Sequence, residues 1–178
     1  MKIAVFGAQG SGKSTQADLL ASHFGLPHIE TGDLLRKFGD SQKMSSLRDS
    51  LASGQLSPTP LIVRLLRERL AKEDCERGYI LDGYPRSIEQ YKAFAPELDL
   101  VLFVNISDQE AVKRLLKRGR EDDSKKAIAE RLELYHLETE PVMDIYRQAG
   151  ILNEANGERS VEEIQKDLVG IIERSLQK

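Results

Sequence analysis

Gly7 to Ser14 read G-A-Q-G-S-G-K-S. The spacing G-x-x-x-x-G-K-[ST] wraps a turn's backbone N–H groups around phosphate oxygens and lets a lysine, here Lys13, reach the outer ones. Gly10, Ser11, Gly12, Lys13, Ser14 and Thr15 are the candidate triphosphate contacts. The Ser14 hydroxyl is suited to a Mg²⁺ ion carried by the nucleotide. A chance match in a glycine-containing turn is the plain alternative. An apolar run before the turn and a helical pattern after it weigh against chance. Three fates of the bound phosphate stay open: hydrolysis, use as a timer, or transfer to a second molecule.

Three further segments carry candidate chemistry. In Tyr79-Ile80-Leu81-Asp82-Gly83-Tyr84-Pro85-Arg86, an apolar strand delivers the Asp82 carboxylate beside the phosphate loop, where it could orient Mg²⁺ or its waters. Gly83 and Pro85 turn the chain and hold Arg86 on a stiff loop; a turn with a solvated Asp and Arg is the alternative. In Thr31-Gly32-Asp33-Leu34-Leu35-Arg36, Asp33 can cap a helix, with Arg36 one turn on as a clamp for a second phosphate. In the run from Arg114 to Asp123, the helix should end at Gly119, leaving Arg118 and Arg120 on a short loop. Arg131 flanks an Ile128–Leu132–Tyr135 stripe rather than pointing squarely to water. In isolation these arginines read as a solvated charge run. Beside a phosphate loop they read as cations placed around a transferring phosphoryl group, which needs positioning and charge more than covalent help. Arginine's planar, permanently charged fork suits that task. No N-K-x-D guanine signature is present, and the arginines outnumber what one triphosphate needs, so two phosphorylated substrates are expected.

These groups must be held by elements the sequence also suggests. Apolar runs at Lys2–Phe6, His28–Ile29, Tyr79–Leu81, Leu100–Asn105 and Ile151–Leu152 predict short buried strands. Helical patterns at Ser14–Phe24, Pro60–Lys72, Asp108–Arg118 and Ser124–Ala149 lie between them. The alternation predicts an α/β fold with right-handed crossovers and a parallel sheet. Gly25-Leu26-Pro27 and Gly119 mark helix stops, and Pro141 predicts a kink or break within the last pattern. The polar stretch Asp33–Ser57 reads as a small helical insertion over the sheet.

Bulk properties narrow the classes. The chain of 178 residues suffices for one domain with a real core, and 40% hydrophobic with 31% charged residues is ordinary globular composition. A net charge of −3 argues against a dominant nucleic-acid or anionic-membrane surface. The single cysteine, Cys75, forms no intramolecular disulfide and supplies no multi-cysteine zinc site. No stretch is long and apolar enough to span a membrane, and the short first apolar run lacks a signal-peptide layout, so a cytoplasmic address is expected.

Taken together, G-A-Q-G-S-G-K-S-T, T-G-D-L-L-R, G-Q-L-S-P, D-G-Y-P-R with Gln90, R-L-L-K-R-G-R-E-D-D and the stretch from Tyr135 through Pro141 resemble the adenylate kinases, within the nucleoside monophosphate kinases. The resemblance covers nearly the whole chain. It implies a P-loop NTPase fold with a five-stranded parallel sheet flanked by helices, a monophosphate-binding insertion over 31–57, and a short lid over 118–123. It implies reversible, Mg²⁺-dependent transfer from ATP to AMP, giving two ADP, by a monomer without zinc. Lys13 would bridge the ATP phosphates and Arg118 would face ATP. Arg36, Arg86, Arg120 and Arg131 would hold the AMP phosphate and the transferring group. Thr31, Ser57 (through its backbone), Gly83 and Gln90 would contact AMP. Asp82 would anchor Mg²⁺ waters, with Ser14 beside it, and Gly157 and Arg159 would pass over the ATP adenine. Departures are Ser14 for a usual glycine, Gln9 for a frequent proline, Glu30 for a common serine, and a lid in which only Gly119 separates Arg118 from Arg120. A pyrimidine monophosphate acceptor, a small-metabolite kinase and a regulator without turnover are the competing readings.

Overall fold

Short runs of Ile, Leu, Val and Phe with no polar alternation can be buried only if both faces of their sheet are covered. In the computed structural model, which describes residues 1–41, 56–119 and 124–176, they form β1 (Lys2–Phe6), β2 (His28–Glu30), β3 (Tyr79–Asp82), β4 (Leu100–Asn105) and β5 (Leu152–Asn156). All pair in parallel, in the order β2-β3-β1-β4-β5. The described helices are α1 (Lys13–Phe24), α2 (Thr31–Ser41), α3 (Thr59–Leu70), α4 (Ile88–Ala93), α5 (Asp108–Arg118), α6 (Lys125–Leu134), α7 (Glu140–Gln148) and α8 (Val161–Leu176). The five-stranded parallel sheet flanked by helices is the architecture expected of the P-loop NTPase fold.

The period-2 alternation of the strands divides the core in two. Ile3, Val5, Ile80, Leu102 and Val104 face α1 and α8, meeting Ala17, Leu20, Leu168 and Ile172. Ala4, Phe6, Leu81, Val101 and Phe103 face the other way, onto Leu66 of α3, Leu115 of α5, Ile128 of α6 and Tyr146 of α7. Register then sets the site: Val5 lies opposite Asp82 and Leu102, and Glu30 lies opposite Asp82. The C-terminal ends of the central strands therefore finish at one edge, and the loops leaving them face a common space.

Several boundaries differ from the sequence reading. The final strand is not Ile151–Leu152 but Leu152–Asn156, because pairing from Val101 through Asn105 carries the ladder past the apolar residues. The pattern Ser124–Ala149 is three pieces: α6, a π-helical turn at Tyr135–Thr139, and α7, with Pro141 in its first turn directly after the wider turn. Asp33 does not cap α2. The helix starts at Thr31, directly after β2, which puts Asp33 inside its first turn. Arg118 is not on a loop but is the last helical residue before Gly119, whose φ of +66° ends α5. Of the insertion over 31–57, residues 42–55 lie outside the described residues, as do Arg120 and the rest of the lid over 120–123. No helix among the described residues is long and apolar enough to cross a membrane.

Leu20 is fully buried whereas its neighbour Leu19 is 38% exposed. Leu20→Ala should cost about 2–5 kcal/mol of unfolding free energy, and Leu19→Ala less than about 1 kcal/mol, in urea titrations. Equal costs would refute this placement of α1.

Candidate active site

The strand ends, the glycine turn and helices α1, α2, α5 and α6 enclose a cleft of about 710 Å³. Its floor is the loop between β1 and α1. Ser11 is buried, donates its N–H to Ala8 O at 3.1 Å and accepts weakly from Lys13 N–H at 3.4 Å, so the loop is closed by its own bonds. Gly12, at φ +88°, hands the chain into α1 in a left-handed conformation that favours glycine. The first turn of α1 carries no acidic residue of its own, and the positive end of that helix opens into the cleft. Lys13 enters from the same turn, its Nζ 3.4 Å from Ala8 O. Burial lowers the Lys13 pKa; Asp82 and Glu30 pull it up, while Arg86 and Arg118 push it further down.

Asp82, at the end of β3, is 1% exposed. Its Oδ2 accepts from the Ser14 hydroxyl at 2.5 Å, and its Oδ1 is buried with no hydrogen-bond partner. His28 Nε2 stands 3.8 Å from Oδ2, near enough to act through charge but too far for a hydrogen bond, while His28 Nδ1 lies 2.5 Å from Asp18. Burial opposes ionisation of Asp82, yet His28, Lys13, the Ser14 hydroxyl and Arg86 together outweigh it and hold the carboxyl below its ordinary 3.8.

Gly83 follows at φ +82°, and a Cβ there would come within 2.9 Å of Arg86 Nη2 and 3.0 Å of Thr31 Oγ1. The bare backbone is what lets both side chains fold over the turn. Arg86 Nε donates to Gly83 O at 2.9 Å, its backbone N–H donates to Gln90 Oε1 at 2.9 Å, and Thr139 Oγ1 donates to Arg86 O at 2.8 Å. Burial lowers the Arg86 pKa, with Asp82 and Glu30 opposing, but a guanidinium stays charged. Arg131, on α6, is 5% exposed beside Ile128 and Leu132.

The cleft brings together the expected Gly10, Gly12, Lys13, Ser14, Thr15, Arg36, Asp82, Arg86, Arg118 and Arg131. A smaller adjoining pocket is lined by Thr31, Ser57, Gly83, Arg86 and Gln90. Gly157 and Arg159 line neither: the Gly157 N–H donates to Asn105 O at 2.8 Å, and Arg159 pairs with Asp167 on α8. Arg120 lies outside the described residues. Gln9, Glu30, Arg114 and Leu115 also line the cleft and were not singled out as contacts. Arg114 was legible in principle, since it sits one turn before Arg118 on the same face of α5. Nothing local in the sequence announces Thr139 as the support of Arg86.

Such a cleft can hold two phosphate chains end to end, with permanent cations around the junction. Comparison with known proteins agrees. Residues 5–151 match the family model described as adenylate kinase. The chain is similar to an adenylate kinase of Leptospira biflexa, at 39% identity with 95% of this chain and 98% of the relative covered. It is also similar to an adenylate kinase of Bifidobacterium longum, at 38% identity with 97% and 100% covered, and to adenylate kinase isoenzyme 1 of Gallus gallus, at 36% with 97% and 94% covered.

Because the folded Asp82 carboxyl is depressed, its stabilising contribution is complete above the ordinary value of 3.8 and is lost as pH falls through the folded value. Asp82→Asn should therefore lower stability by about 1–3 kcal/mol near neutrality. The deficit should shrink in acid, read as urea midpoints of both proteins along a pH series. A deficit that grows on acidification would contradict this sign.

Proposed function

The chain belongs to the adenylate kinase family, and on that premise we propose that it transfers the terminal phosphoryl group of ATP to AMP, reversibly, giving two ADP. An oxygen of the AMP phosphate attacks the γ-phosphorus in line. The bond to the bridging oxygen breaks, and the electron pair leaves on ADP. The observation that carries this reading is the convergence of Lys13, Arg86, Arg118 and Arg131 on one cleft. Fixed cations suit a reaction whose negative charge spreads over three equatorial oxygens and which asks little covalent chemistry of the protein. Lys13 and the α1 N-terminus take the ATP phosphates with Arg118; Arg36, Arg86 and Arg131 take the AMP phosphate and the group in transit. We assign Arg120 to the same group of cations on the family pattern alone.

The pocket beside the cleft supports an adenine acceptor. Thr31 Oγ1 donates to Gly83 O at 2.9 Å, which leaves its oxygen to accept from an exocyclic amino group. Gln90 Oε1 is taken by the Arg86 N–H, which leaves its amide NH₂ to donate to a ring nitrogen. Adenine offers that amino-and-ring-nitrogen pair, as does cytosine; uracil offers no amino group. Ser57 borders the same pocket. Gly157 and Arg159 are assigned to the ATP adenine by the family pattern, which requires Arg159 to exchange its Asp167 pairing for the base.

The family implies Mg²⁺. The Ser14 hydroxyl, the Asp82 carboxylate and the partnerless, buried Asp82 Oδ1 fit such an ion, held through nucleotide oxygens and water. When bound, it supplies charge neutralisation along the phosphates. We further propose that 31–57 is the acceptor-binding insertion, that 118–123 is the lid, and that the protein works in the cytoplasm as a monomer on free nucleotides.

The test is incubation with Mg-ATP and each of AMP, CMP, UMP and GMP, with diphosphates quantified. AMP-dependent ADP is expected, with little product from the others; preference for CMP or UMP would overturn the acceptor. Phosphate release without AMP should be measurable but far slower than transfer, because a short lid excludes water poorly. Arg86→Ala should lower turnover by about 10²–10³-fold with the fold retained by circular dichroism. Near-parental turnover would remove Arg86 from the site.

A further inference from the structure

In the parallel register of β2 and β3, Glu30 lies opposite Asp82. The two strands thus deliver neighbouring carboxylates to a cleft whose other charged lining residues are cations. Their engagements differ. Asp82 faces Ser14 on the phosphate loop. Glu30 reaches over the start of α2, where its Oε1 accepts from Arg36 Nη2 at 2.9 Å, while Asp33 stands 3.9 Å from the same nitrogen. The pair sits against bare backbone: a Cβ at Gly32 would lie 3.1 Å from both Arg36 Nη1 and Glu30 Oε1. The carboxylate also acts on the rest of the cluster, raising the proton affinity of Lys13 and Arg86.

A carboxylate presents a guanidinium with two oxygens in much the way a phosphate edge does. We propose that Glu30 is an internal competitor for Arg36, a positioning residue that holds the guanidinium until an acceptor's phosphate dianion takes its place and thereby weakens acceptor binding. The inference rests on the proposed acceptor role of Arg36. The pair is 35% exposed on the Glu30 side and 53% on the Arg36 side, so its energy is that of a screened surface contact. The exchange concerns the phosphate and not the nucleoside. It acts on the bound ground state as on the transition state, so it belongs in KM rather than kcat.

The experiment compares the parent with Glu30→Gln, which keeps the shape, and Glu30→Ser, which removes shape and charge together. Calorimetric titration with AMP and with adenosine is run beside steady-state kinetics in AMP. Both variants should bind AMP about two- to fivefold more tightly, with a matching fall in KM and adenosine affinity unmoved. Unchanged or weaker AMP binding in both variants overturns the proposal, as does equal tightening toward adenosine or no AMP binding by any of the three proteins. Absence of phosphoryl transfer by the parent, with AMP still bound, would instead defeat the proposed reaction and leave the calorimetric comparison to decide Glu30.

Discussion

Like charges do not gather in a half-enclosed space unless something holds them there. Lys13, Arg36, Arg86, Arg114, Arg118 and Arg131 line one cleft against the carboxylates of Glu30 and Asp82. The six cations come from five stiff supports: the first turn of α1, the first turns of α2, the Gly83–Arg86 turn, the last turns of α5, which carry Arg114 and Arg118, and α6. The parallel sheet makes that convergence geometric, because its central strands end at one edge and every element that follows begins there. The two hydrophobic layers then serve to keep those supports from relaxing apart. A polyanion entering the cleft meets charges already in position, so little reorganisation is left for the chemical step.

Much of this was legible in the sequence. Gly7 to Ser14 and Tyr79 to Arg86 are local motifs: a few consecutive residues set the turn, and the turn sets Lys13 or Arg86. Strand and helix types followed from apolar runs and periodicity. What escaped depends on residues far apart in the chain. The extent of β5 is dictated by hydrogen bonds to β4, not by its own side chains, Leu152 to Asn156 being mostly polar. The sequence pattern sets Arg118 on a loop because Gly119 marks the stop, but a helix holds its last residue up to its cap. The grip of Thr139 on Arg86 O spans 53 residues. Glu30 was visible as a departure from a serine, yet only the register with Asp82 and the reach to Arg36 give it a physical meaning.

The π-helical turn at Tyr135–Thr139 illustrates how irregularity is used. One wider turn between α6 and α7 shifts the faces of the two helices relative to each other. Arg131 stays beside Ile128 and Leu132 and lines the cleft with Arg86, and Thr139 donates to Arg86 O. An unbroken α-helix would set Thr139 about 80° around the axis from Arg131, and the wider turn changes that angle.

The pairing of α1 with α8 has a consequence for the order in which the molecule comes into being. The inner face of the phosphate-loop helix is covered by Ile164, Leu168 and Ile172, and Gln16 Nε2 donates to Val161 O at 3.0 Å. A ribosome releases the chain from its N-terminal end at roughly 5–20 residues per second. Lys13 to Phe24 therefore emerge many seconds before the helix that seals them. During that interval the nascent chain carries an open apolar flank, and the phosphate loop gains its rigid backing only once Val161–Leu176 has emerged.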